Sequence, residues 1–349
     1  MKKIISIIMA LIISMSCLSF FSFASEEAYP VEAKFSENGE HKVKTATFDS
    51  GKEAYEYYKV WYPAELENSN DKFPVIIFNN GSGMTDNTRE TVKMMTAFAS
   101  WGFVGLSNDH RSTGHGDSAS AGLDFLMTLA ADEESIFYGK LDFNAVGLCG
   151  HSQGASASIN AASEGKYENS HMFKAICAIS APHSELAASE YQNTPYDASK
   201  VKVPAFLIGG TKSDEAGYVL DSGITPLGMG LIANMKAIDN DNVIIGRIKD
   251  AWHVDTQSES QPYVIAWFFW TLLGDEFAAT AFTGDDAELY RNEKWQDVYN
   301  KQSEDLPENP DPYDPEVFDN SIFIEIYKAF SDIIDRILNF FMSLISNFV

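Results

Sequence analysis

The strongest chemical signal in the chain is Gly150-His151-Ser152-Gln153-Gly154. It follows directly on the apolar run Ala145-Val146-Gly147-Leu148-Cys149 and leads into Ala155-Ser156-Ala157-Ser158-Ile159, which reads as strand, tight turn and helix. A serine lifted off a strand end in this way needs small residues two places before and after it, because the strained turn brings strand and helix backbones together. The helix that follows points its N-terminal amides at negative charge developing near the hydroxyl. The chemistry implied is nucleophilic attack by Ser152.

A serine hydroxyl is a weak nucleophile at neutral pH and needs a base, itself oriented by a carboxylate. For a nucleophile on a strand-turn-helix elbow the partners follow in the order serine, acid, histidine. His41, His110, His115 and His151 precede Ser152, and His171 and His183 come before the late strand that should supply the acid. His253, in Ala251-Trp252-His253-Val254-Asp255 after the strand-like Val243 to Ile248, is left as the base. The acid is expected just past Ala205-Phe206-Leu207-Ile208-Gly209-Gly210, where Asp214 is the first carboxylate; the adjacent Glu215 is expected to point elsewhere. Two backbone amides are needed for a tetrahedral oxyanion. Gln153 supplies one, and Ser82, in Asn79-Asn80-Gly81-Ser82-Gly83-Met84 after the first parallel strand, is the candidate for the other.

With these positions in place, the stretch from about Phe73 to Phe282 resembles the bacterial cutinase and polyester (PET) hydrolase group within the dienelactone-hydrolase-like α/β hydrolases. The resemblance rests on Phe73-Pro74-Val75-Ile76-Ile77-Phe78, Tyr138-Gly139-Lys140-Leu141-Asp142, Ser180-Ala181-Pro182 and Ile265-Ala266-Trp267. It implies hydrolysis of small or polymeric carboxylic esters through an acyl-enzyme, with no cofactor and no metal, and it supports Ser152, Asp214 and His253. Gly81, His151, His183 and Trp252 are the expected cleft residues. Those polyester hydrolases usually carry an aromatic residue where Ser82 stands, methionine at Gln153 and tryptophan at His183, and their C-terminal disulfide has no counterpart here. The cleft is thus expected to suit an aromatic polyester ring poorly. An amidase or peptidase on the same residues, and a non-catalytic envelope protein built on the same scaffold, are the alternatives.

The elements that must position these residues are legible in the hydrophobic pattern. Lys42 to Asp49 and Glu53 to Tyr62 alternate around Ser50-Gly51 and predict a hairpin. After it come short, wholly apolar runs at Val75 to Phe78, Phe103 to Leu106, Ala145 to Cys149, Ala175 to Ile179, Ala205 to Ile208 and Val243 to Ile245. Helical patterns occupy Thr88 to Ser100, Ala119 to Leu129, Ala155 to Ser163, Thr225 to Ile238 and Pro262 to Leu273 between or after them. An antiparallel start followed by repeated β-α units predicts an α/β-hydrolase fold: a mostly parallel sheet with helices on both faces. Asp109 to Asp117, with two histidines, reads as a crossover loop in which Arg111 ties carboxylates and carbonyls together; a metal site is the alternative.

Residues 1–24 read as a signal peptide: Lys2 and Lys3 precede an apolar run from Ile4 to Phe23, and Ser22-Phe23-Ala24 offers small residues for cleavage. An uncleaved anchor is the alternative. Residues 25–300 are the expected catalytic domain, 301–320 an acidic proline-rich linker, and 321–349 an amphipathic helix that docks on the domain, pairs in an oligomer, or attaches to membrane or envelope. Without Lys2 and Lys3, 23 Lys plus Arg face 50 Asp plus Glu, a formal net charge of −27. Such a surface repels nucleic acid and anionic lipid, and fits a secreted or extracytoplasmic enzyme acting on neutral or cationic material. Cys149 and Cys177 are too few for a disulfide framework; they are expected as buried thiols, with a mutual bridge as the alternative.

Overall fold

Strands that are apolar at every position need a covering layer on each side, and the arrangement found supplies two. The structure, a computed structural model, describes residues 28–217, 223–308 and Pro310. Among these, β1 (Val43–Asp49), β2 (Tyr57–Pro63), β3 (Phe73–Asn79), β4 (Val104–Asn108), β5 (Leu141–His151), β6 (Phe173–Ile179), β7 (Ala205–Gly210), β8 (Val243–Ile248) and β9 (Trp295–Asn300) form one sheet. Its order is β1-β2-β4-β3-β5-β6-β7-β8-β9. The pairs β1/β2, β2/β4 and β8/β9 are antiparallel, and all the others are parallel.

The helices are α1 (Pro30–Ser36), α2 (Arg89–Ser100), α3 (Asp117–Ala131), α4 (Gln153–Ala162), α5 (Ser184–Ala188), α6 (Ser213–Ala216), α7 (Ala233–Ala237), α8 (Thr256–Glu259), α9 (Gln261–Leu273), α10 (Glu276–Ala279) and α11 (Glu288–Arg291). Period-two alternation divides the strand residues between two cores. Val75, Ile77, Val146, Leu148, Ile176 and Leu207 pack with Leu123 of α3, Ile159 of α4 and Met235 of α7. Ile76, Phe78, Cys149, Cys177, Phe206 and Ile208 pack on the opposite face with Phe35 of α1, Phe98 of α2 and Trp267 of α9. The mixed α/β class, the antiparallel start and the helices on both faces are those expected, and are consistent with an α/β-hydrolase-like fold.

Several details differ from the sequence pattern. The hairpin pairs Val43 with Pro63 and Asp49 with Tyr57, so β2 begins four residues after Glu53. Ser50 N–H bonds the Glu56 carbonyl at 2.9 Å and closes the longer loop. The helix expected from Thr225 to Ile238 is a wide π-type turn over Leu227–Ile232 that continues into α7. The edge strand β9 and the helix α1 were not expected. Helix α1 is fastened from far along the chain: the buried Glu288 carboxylate accepts N–H bonds from Val31 and Glu32, each 2.8 Å, and the Tyr263 hydroxyl at 2.8 Å. Cys149 and Cys177 are register partners on β5 and β6, and both are buried free thiols. The expected signal segment and C-terminal helix, with most of the linker, lie outside the described residues.

Candidate active site

The C-terminal ends of the parallel strands β5, β7 and β8 carry the site. Ser152 joins β5 to α4 with φ 58° and ψ −126°, a left-handed conformation that costs a non-glycine residue energy and persists only where its surroundings enforce it. The enforcement is backbone packing. A Cβ on Gly150 would lie 2.1 Å from the Gly154 carbonyl oxygen, and one on Gly154 would lie 2.0 Å from that of Asn79. The Ser152 N–H bonds the Ile179 carbonyl on β6 at 2.8 Å, pinning the turn to the sheet.

His253, in the loop between β8 and α8, reaches back over the strand ends and places Nε2 2.9 Å from Ser152 Oγ. Its Nδ1 faces a carboxylate in direct hydrogen-bond contact, and that carboxylate belongs to Glu215, not to the expected Asp214. Both acids sit on the single turn α6, where successive side chains are about 100° apart, so only one can aim at the imidazole. Glu215 is fully buried. Its Oε2 accepts the Ser180 hydroxyl at 2.9 Å and the Gly210 N–H at 3.0 Å, which compensates for taking the carboxylate out of water. Asp214 instead accepts the backbone N–H of His253 through Oδ2 at 3.0 Å.

Nothing in the sequence placed Ser180 or Thr256 at the site, Ser180 entering only as part of a motif: their hydroxyl oxygens are 2.8 Å apart, and the Thr256 hydroxyl donates to the His253 carbonyl at 2.9 Å. No signal in the sequence separates Glu215 from its neighbour Asp214. Gly210 ends β7 without a side chain because a Cβ there would lie 2.4 Å from the Ala251 carbonyl oxygen, with Glu215 Cγ next at 3.0 Å.

The loop after β3 lies against the elbow. Gly81 is buried, and a Cβ there would be 3.4 Å from the His151 carbonyl oxygen. Ser82 follows at the exposed tip. Arg111 Nη1 donates to the Gly83 carbonyl at 2.8 Å, and the Gly83 N–H bonds the Arg111 carbonyl at 2.9 Å, so the crossover loop braces this segment through a carbonyl, while among the described residues Arg111 forms no ion pair with a carboxylate. Among the described residues no group of three His, Cys, Asp or Glu side chains is placed to hold a metal ion. The Gln153 amide begins α4, where no carbonyl one turn earlier is available to it, while its side chain packs beside Gly114 and Thr194.

The remaining cleft candidates divide by exposure. Trp252, next to His253, is 47% exposed, whereas His183 and His151 are buried. His151 is tied to the loop that carries His253: its Nε2–H donates to the His253 carbonyl at 2.9 Å, and the two rings are 4.6 Å apart between centroids. Burial, with the nearby His253 as a second cause, pushes the His151 imidazole down to about 3. The unfolded chain takes up this proton near pH 6.5 and the folded chain does not until about pH 3. Lowering pH between those values therefore favours unfolding, by roughly 1.4 kcal/mol per unit from this group, with no slope from it above 6.5. Urea midpoints measured from pH 7 to pH 4 are expected to fall more steeply for the natural chain than for His151→Gln. His110, also lowered by burial, slopes the same way in both.

A hydroxyl bonded to an imidazole whose far nitrogen faces a buried carboxylate can give up its proton while attacking a carbonyl carbon. Among the described residues no helix is long and apolar enough to cross a membrane. No family model matches the chain, and no curated protein matches it in sequence.

Proposed function

We propose that this protein is a secreted serine hydrolase of carboxylic esters in which Ser152 is the nucleophile, His253 the general base and acid, and Glu215 the carboxylate that orients the base. The observation carrying this reading is the continuous bonding from Glu215 through both nitrogens of His253 to Ser152 Oγ, on a serine held at positive φ. It keeps the reaction implied by the resemblance to the cutinase and polyester hydrolase group, with glutamate in place of aspartate.

In the first half-reaction His253 Nε2 takes the Ser152 proton as Oγ bonds to the ester carbonyl carbon, and the carbonyl π pair moves onto oxygen. The Gln153 and Ser82 amides receive that oxyanion, aided by the N-terminal end of α4. The buried Glu215 carboxylate stabilises the imidazolium. The pair returns, the carbon–alkoxy bond breaks, and His253 delivers its proton to the departing alcohol. Water then repeats the steps on the acyl-enzyme, releasing the acid and restoring Ser152.

An alkyl fluorophosphonate is expected to label the folded protein once, at Ser152, with a matching loss of turnover of short-chain aryl and alkyl esters. Folded protein that neither labels at Ser152 nor hydrolyses such esters over several chain lengths would overturn the proposal.

A further inference from the structure

The base stands on a loop, where precise placement is harder to keep than on a strand or helix. Both polar backbone groups of His253 are nevertheless engaged by side chains from other elements. Its N–H is held by Asp214 Oδ2 at 3.0 Å, and this is the single hydrogen bond of the Asp214 carboxylate among the described residues, Oδ1 being buried without a partner. Its carbonyl accepts His151 Nε2–H at 2.9 Å as well as the Thr256 hydroxyl. His151 is the residue immediately before the nucleophile, and Asp214 immediately precedes the acid. Each partner of the imidazole thus has a sequence neighbour that grips the backbone of the same histidine.

We infer that Asp214 and His151 are positioning residues that clamp the His253 backbone at its two ends, fixing the imidazole between Ser152 and Glu215. The inference rests on the hydrolase reading for its kinetic consequence, but not for its structural one. Asp214 serves as a hydrogen-bond acceptor and not as a charge, and His151 serves as a donor. A backbone shift of about 1 Å at the base would lengthen both ring contacts, a displacement of the size that costs on the order of 10²-fold in rate.

The test compares Asp214→Ala with Asp214→Asn and His151→Phe with His151→Gln. The first of each pair removes the bond, and the second retains an atom able to make it. Short-chain aryl ester hydrolysis is expected to lose about 10- to 100-fold in kcat with little change in KM in Asp214→Ala and His151→Phe. The asparagine and glutamine variants are expected to recover most of that loss. In parallel, proton NMR follows the downfield Nδ1–H resonance of His253, assigned by its disappearance in Glu215→Ala. It should shift or broaden in the two bond-deleting variants and return in the two bond-keeping ones.

Thermal unfolding separates folding from placement. A lowered Tm with kcat and the resonance unchanged overturns the inference, as does an Asp214→Asn variant as impaired as Asp214→Ala, which would show that the charge is what matters. If the natural chain fails to label with fluorophosphonate, the hydrolase reading falls while the NMR comparison still decides whether the clamp exists.

Discussion

Glu215→Gln is expected to lower kcat by about 10⁴-fold while KM changes little, the loss seen when a buried carboxylate behind a catalytic imidazole becomes an amide. The reason is tautomeric as well as electrostatic. The Glu215 carboxylate can only accept at His253 Nδ1, so Nδ1 carries the proton and Nε2 keeps the lone pair that receives the Ser152 hydrogen. A glutamine with its NH₂ toward the ring places the proton on Nε2 instead and removes the base. Its amide oxygen can still accept the Ser180 hydroxyl and Gly210 N–H, so the fold is expected to survive. Asp214→Asn, by contrast, keeps its bond to the His253 N–H. Steady-state kinetics on the two variants decide between adjacent acids: a large loss at 214 with little at 215 would contradict the geometry.

Gly154→Ala is expected to abolish ester turnover and to destabilise the protein by more than about 3 kcal/mol, beyond ordinary overpacking. The added methyl would sit 2.0 Å from the Asn79 carbonyl oxygen and 2.6 Å from that of Asn80, both backbone atoms that cannot move without dragging the end of β3. That strand end also leads into the Gly81–Ser82 loop, so relief of the clash is expected to displace the elbow and the proposed second oxyanion donor together. Gly165→Ala is the control: Gly165 has positive φ (74°), unlike the helical Gly154, but an added Cβ would meet nothing within 4 Å. It is expected to cost about 1 kcal/mol and to leave kcat unchanged. Urea denaturation with activity measurement on both variants distinguishes a steric requirement at the elbow from a general intolerance of side chains at glycine positions. Equal effects at the two positions would contradict the packing account.

What was legible in the chain is what depends on local periodicity and order. The apolar runs gave the parallel strands because a strand buried on both faces has no polar position to interrupt it, as Val75-Ile76-Ile77-Phe78 shows by sending alternate residues to two cores. β9 escaped because Trp295-Gln296-Asp297-Val298-Tyr299-Asn300 is a polar edge strand that exists through its pairing with β8 and through Arg247, whose guanidinium binds Asp297 at 2.6 Å and 2.9 Å. Helix α1 escaped for a similar reason: the carboxylate holding its first turn comes from Glu288, 257 residues away from Val31.

By itself the sequence singled out the residues proposed as nucleophile and base. Ser152 is marked by small residues that local backbone crowding demands, and His253 by a chain order that leaves no other histidine after the late strand. Only the tertiary structure decided which of two neighbouring carboxylates meets the imidazole, because that choice depends on how one helical turn is rotated against the loop that carries His253. It likewise turned His151 from a cleft residue into a buried support, since the base loop folds over it from a hundred residues further along the chain.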